Sequence, residues 1–105
     1  MRVISKKSLV MFYTEHADAK NALEDWYSKV SDCEWQNFAD IKNDFNSVDN
    51  VGNQRFVFNI KGNHYRIVAL ILFSVQVIYI RFVGTHAEYD KINDIKIKKQ
   101  ILFIV

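Results

Sequence analysis

Proline is absent from this chain of 105 residues, and cysteine occurs once, as Cys33. No stretch is repetitive or of low complexity, so nothing marks a domain boundary and one domain over residues 1–105 is expected. A lone cysteine excludes an intramolecular disulfide and a cysteine-based zinc cluster, and it suits a reducing compartment. Long apolar runs are missing too. No segment reaches the roughly 18 apolar residues of a membrane span, and the apolar part of MRVISKKSLVMF is too short for a signal peptide. The cytoplasm is the expected location. Charge is nearly balanced, with 14 basic and 12 acidic residues and a net charge of +2. That permits an anionic partner without demanding one, so what matters is where the positive charges gather.

Half the residues are hydrophobic and 14% are aromatic, enough for a real core. Arg2 to Ile4 reads as a short edge strand. Ser5 is placed to cap a helix over Lys6 to Glu15, with Leu9, Phe12 and Tyr13 on one face. Asp18 is placed to cap a second helix through Val30, where Ala19, Ala22, Leu23, Trp26, Tyr27 and Val30 follow helical spacing. A third helix fits Gln36 to Phe45, with Trp35, Phe38, Ile41 and Phe45 as its stripe. Such aromatic stripes are what core packing requires. Asn46 to Gln54, rich in Asn, Asp, Ser and Gly, reads as an exposed loop.

The stretch from Arg55 to Asp90 organises the rest. Strand Arg55 to Ile60 leads into Lys61-Gly62-Asn63-His64, where Gly62-Asn63 suits a two-residue turn because both residues tolerate positive φ. This register sets Asn59 opposite Arg66 and Phe58 opposite Ile67. A second turn near Ser74-Val75 sets Val68 opposite Arg81 and Leu70 opposite Tyr79. Phe56, Phe58, Ile60, Tyr65, Ile67, Ala69, Ile71, Ile78, Ile80 and Phe82 then share one face. Asn59, Arg66, Tyr79 and Arg81 share the other, with Arg66 and Arg81 as diagonal neighbours roughly 7–8 Å apart. The strand ends at Gly84, and Thr85-His86-Ala87-Glu88 forms a capping box that puts His86 at the first helical position. The tail from Ile95 to Val105 has two readings, an added edge strand or a sticky end.

Two arginines on adjacent strands repel each other unless a phosphate sits between their guanidinium forks. Lys61, His64, His86 and Lys91 can surround that spot. A His, a Tyr and several cations, without a carboxylate cluster, suit RNA cleavage that needs no metal. One group deprotonates the ribose 2′-OH, cations hold the charge on phosphorus, and another group protonates the leaving 5′-oxygen. The ordinary alternatives stand beside this: a helix-start histidine that is merely exposed, and arginines that are solvated or paired with Glu88 and Asp90. No metal-ligand spacing links His16, His64, His86 and Cys33.

The chain resembles the HigB-type toxins of bacterial toxin–antitoxin pairs, within the RelE-like superfamily. The resemblance runs from RVISKKSL through ALEDWY and FADIKNDFNSVDNVGNQRFVFNIKGNHYRIVALI to YIRFVGTHAEYDKI, and VFNIKGNHYR and RFVGTHAEYD carry most of it. It implies an α+β fold, a RelE-like small antiparallel sheet with N-terminal helices on one face. It implies an mRNA endonuclease acting on ribosome-engaged messages without a cofactor, and a cognate antitoxin with a helix-turn-helix domain. The working residues it implies are Arg66, Arg81, His86 and Tyr89 as catalytic. Lys61, Asn63, His64 and Lys91 are the expected RNA-binding residues. The alternative from another class is a non-catalytic module that binds RNA or the antitoxin.

Overall fold

The computed structural model describes residues 1–94. Its elements run β1 (Arg2–Ile4), α1 (Lys6–Glu15), a 3₁₀ turn (Ala17–Ala19), α2 (Lys20–Ser31), α3 (Phe38–Asp44), β2 (Asp49–Gly52), β3 (Arg55–Ile60), β4 (Tyr65–Leu72), a second 3₁₀ turn (Phe73–Val75), β5 (Val77–Thr85) and α4 (His86–Asp94). The strands form one five-stranded sheet in the order β1-β5-β4-β3-β2. Its pairs are antiparallel except at one edge, where β1 runs parallel to β5. The expected α+β class is the one observed. The tail from Ile95 to Val105 lies outside the described residues.

Strand alternation sorts the two faces. Phe56, Phe58 and Ile60 of β3, Tyr65, Ile67, Ala69 and Ile71 of β4, and Ile78 and Ile80 of β5 join Leu9, Leu23, Trp26, Val30, Trp35 and Ile41 in one buried cluster. α1, α2 and α3 therefore cover that inner face, as their apolar stripes require. Phe58 is its centre, with ring centroids 5.3 Å from Trp26, 6.2 Å from Trp35 and 5.2 Å from Phe45. On the outer face Val57, Val68 and Tyr89 form a second, smaller cluster with Val51 and Phe82 packed against it. Because Tyr89 belongs to α4, that helix lies across the outer face.

The β3–β4 register is as read from the sequence, with Asn59 opposite Arg66 and Phe58 opposite Ile67. The turn itself differs. It spans four residues between Ile60 and Tyr65, and the left-handed positions are Lys61 (φ 51°) and Gly62 (φ 64°), not Gly62 and Asn63. In β4–β5, Leu70 faces Tyr79 as expected, but Val68 faces Phe82 and Ala69 faces Ile80. Arg81 is thus the extra residue of a β-bulge. A bulge shifts parity by one, so Phe82 turns to the outer cluster and Val83 packs against the inner core. Arg66 consequently pairs with Gly84, not diagonally with Arg81. At strand spacing this sets Arg81 roughly 10 Å from Arg66 along and across the sheet.

Three further expectations are corrected. Ser5 sits left-handed at φ 78° and makes no side-chain cap. Asp18 does not cap α2, which starts at Lys20 without a side-chain cap; its carboxylate is drawn away by Tyr65 and Lys61. The supposed loop from Asn46 to Gln54 contains β2, whose Asp49 and Asn50 pair with Val57 and Phe56.

Candidate active site

β5 passes into α4 without a loop. Glu88 N–H donates to Thr85 Oγ1 at 3.1 Å, and Thr85 N–H donates to Glu88 Oε1 at 2.8 Å. These are the two bonds of the expected capping box. The first helical N–H, that of His86, donates to the His64 carbonyl at 2.8 Å and ties the β3–β4 turn to the start of α4. Between them opens a cleft of about 500 Å³ lined by Asn63, His64, Tyr65, Thr85, His86 and Ala87. Gly84 leaves room here for the Phe82 ring and the Glu88 carboxylate. A Cβ there would stand 2.5 Å from the Phe82 ring and 3.2 Å from Glu88 Oε1.

Arg66 is only 9% exposed. One guanidinium nitrogen, Nη1, donates to the carbonyls of Asn63 at 3.2 Å and Tyr65 at 3.4 Å. The other, Nη2, meets His86 Nδ1 at 2.7 Å. Among the described residues no carboxylate pairs with Arg66 within 4.0 Å. Its charge is therefore held by neutral acceptors beside an open cleft, the condition in which an incoming anion gains most. On the far side of the ring, His86 Nε2 lies 2.8 Å from Asp90 Oδ2. A guanidinium has no acceptor, so Nδ1 must accept, and the ring proton sits on Nε2 and is donated to Asp90.

The remaining candidates fall into separate places. Arg81 is exposed and lies over the Tyr79 ring, 5.2 Å from its centroid. Arg55 shares that neighbourhood, since burial and then the Arg81 charge pull its guanidinium below the usual arginine range. Tyr89 is only 7% exposed, and its ring packs with Val57, Val68 and Phe82. Expected among the catalytic residues, it is instead taken up in the outer-face cluster. Lys61 turns to the helical side and pairs with Asp18 at 2.9 Å, away from Arg66 and His86. Asp18 also accepts from the Tyr65 hydroxyl at 2.6 Å. Asn63 and His64 line the cleft, while Lys91 is exposed in the last turn of α4. The structure thus gathers Arg66, His86, Asn63 and His64, and leaves Arg81, Lys61 and Tyr89 elsewhere. Among the described residues no three His, Cys, Asp or Glu side chains gather to hold a metal.

The family described as HigB toxin, RelE-like toxic component of a toxin–antitoxin system, matches residues 19–92. This chain belongs to the HigB toxin family. The mRNA interferase toxin HigB of Escherichia coli strain K12 is 33% identical over 92 residues, spanning 86% of this chain and 88% of the relative. The mRNA interferase HigB of Shigella flexneri shows the same figures. The mRNA interferase HigB of Escherichia coli O6:H1 is 26% identical over 95 residues, spanning 89% and 92%. The match includes the whole β3–β4 hairpin, β5 and the start of α4 that carry the Arg66–His86 site. Membership makes the chain the toxic half of a pair whose other half is an antitoxin. Among the described residues no helix of this HigB-family chain is long and apolar enough to cross a membrane.

The sequence reading offered Asp90 as a partner of the arginines, not of His86, and passed over Arg55 beside Arg81. Asp90 follows His86 by four positions on one helix, a spacing that brings side chains together. Arg55 shares strand parity with Val57 and Asn59, which places it on the outer face with Arg81.

Proposed function

We propose that this chain is an mRNA interferase, an endoribonuclease that cuts messages engaged on the ribosome through attack of the ribose 2′-OH. The observation that supports this best is the contact between Arg66 and His86 at the mouth of an open cleft. A cation that holds a scissile phosphate stands there beside an imidazole, a ring that can accept and release a proton. Arg66 holds the charge that builds on the phosphorane, and His86 exchanges a proton with the reacting oxygens. Arg81, set apart at the bulge, holds a neighbouring phosphate of the same strand, and Lys91 another. Asn63 and His64 line the wall against which the flanking nucleotide rests. The names of the relatives support the same reading. No metal ion enters this chemistry, and the expected partner is an antitoxin with a helix-turn-helix domain that withholds the basic surface from RNA.

Expression of the chain alone should arrest growth, and co-expression of the neighbouring antitoxin should restore it. Purified protein mixed with ribosomes and a defined message should cut that message. Binding without cleavage would instead identify a non-catalytic module, and harmless expression of folded protein would count against a toxin.

A further inference from the structure

We infer that His86 acts as the general base through Nδ1, and that Asp90 is the residue that positions it for that role. This rests on the interferase reading and divides the proton transfers within it. An i, i+4 pair such as His86–Asp90, each about half exposed at 46% and 47%, is by itself an ordinary feature of a helix surface. What sets it apart is the third member. The buried Arg66 Nη2 closes on the other ring nitrogen from a different element.

The donor inventory then leaves one arrangement. With Nη2–H donating to Nδ1, the ring carries its single proton on Nε2 and gives it to Asp90. The opposite tautomer would set an N–H of the ring against an N–H of the guanidinium. The basic lone pair is therefore the one on Nδ1, and it points at the nitrogen that would hold the phosphate. When a scissile phosphate takes the Arg66 fork, Nδ1 is released within reach of the ribose next to that phosphate. The O2′–H bond breaks and its proton passes to Nδ1. The O2′–P bond forms, the P–O5′ bond breaks, and water supplies the proton that the 5′-oxygen takes. The ring is then an imidazolium beside a guanidinium, an arrangement that costs energy unless an anion offsets it. Asp90, 2.8 Å from Nε2, is that anion. It accepts the Nε2 proton in the resting protein, holding the ring in orientation, and steadies the charge that forms, as the aspartate of a serine–histidine–aspartate triad does for its histidine.

The test uses the full-length chain, labelled with ¹⁵N and freed from its antitoxin. Long-range ¹H–¹⁵N spectra of the His86 ring distinguish Nε2–H from Nδ1–H. Single-turnover cleavage of a defined message on ribosomes gives the rate and its half-saturating concentration. The inference expects the Nε2–H form in the wild type, and in Asp90→Asn the same tautomer, held by Arg66, with the Nε2–H proton resonance moved upfield by loss of the carboxylate acceptor. That variant should lose roughly tenfold to a thousandfold in the rate at saturation, with little change in half-saturation and partial rescue by Asp90→Glu. An Nδ1–H wild type, or Asp90→Asn cutting at the wild-type rate, overturns it. Failure of the wild type to cut any message overturns the interferase reading and the base role with it. The ring spectrum of the same sample still decides whether Asp90 holds His86.

Discussion

Arg66 and His86 stand 20 residues apart in sequence, yet their side chains meet at 2.7 Å. Two local facts produce the contact. The β4–β5 register sets Arg66 opposite Gly84, and α4 begins two residues later, so His86 lies close beside that pair. The capping box then fixes the direction in which α4 leaves the sheet.

From this follows a split between two kinds of arginine. His86→Ala and Arg66→Lys should each lower the cleavage rate at saturation by about 10²–10³, because lysine keeps the charge but loses the fork. Arg81→Ala should mainly weaken RNA binding and flatten its salt dependence, as loss of a flanking phosphate contact does. Equal effects of Arg66→Lys and Arg81→Ala on the saturated rate would place both arginines at one phosphate and contradict the separation made by the bulge. Circular dichroism and antitoxin binding should be near wild type for His86→Ala and Arg81→Ala, whose side chains are exposed.

Phe58 is 1% exposed and packs its ring against Trp26, Trp35 and Phe45. Phe58→Ala should cost about 3–5 kcal/mol by denaturant unfolding. A cost below about 1 kcal/mol would mean that the aromatic cluster collapses to fill the space.

Much of this was legible in the chain before any coordinates, for a physical reason. The β3–β4 register could be read because apolar alternation and the Lys61–His64 turn demand the same pairing, and a slip of one would have exposed Phe56 and Phe58. The capping box at Thr85 could be read because it is entirely local. The bulge at Arg81 could not, since Arg81 and Phe82 each fit either parity as written. β2 was hidden because Asp49, Asn50 and Gly52 have little strand propensity of their own and gain their conformation from pairing with β3. Asp18 looked like a cap because its real partner, Tyr65, lies 47 residues away. Tyr89 was expected among the catalytic residues because nothing in the sequence says that α4 folds back onto Val57 and Val68.

Asp18 ties the β3–β4 turn to the helical layer and should make the fold sensitive to acid. Its carboxyl is held below the usual value of 3.8, first by the Tyr65 hydroxyl and then by Lys61. A lowered folded pKa means that the contribution is fully present above the unfolded value and disappears as pH falls through the folded one. Asp18→Asn should therefore lower the melting temperature near neutrality and narrow its gap from the wild type toward roughly pH 3. A gap that stays constant over this range would show that the carboxylate charge is not what holds the turn.

Cys33 should be a poor nucleophile. Burial, and then its hydrogen bond to Asp44, push the thiol up to about 11, and Sγ also donates to the Lys29 carbonyl at 3.1 Å. Because the thiolate is the reactive form, iodoacetamide near neutral pH should modify the native chain far more slowly than the unfolded one. Equal rates would contradict the protected environment.

Metal-free attack by the ribose 2′-OH leaves its signature in the chemistry of the cut ends. The full-length chain, freed from its antitoxin, is mixed with message-bearing ribosomes. EDTA is kept at a level the ribosomes survive, and the ends of the fragments are analysed. Cleavage should persist in EDTA and leave a 2′,3′-cyclic phosphate and a 5′-hydroxyl. Cleavage abolished by EDTA, or fragments with a 3′-hydroxyl and a 5′-phosphate, would contradict metal-free attack by the 2′-OH.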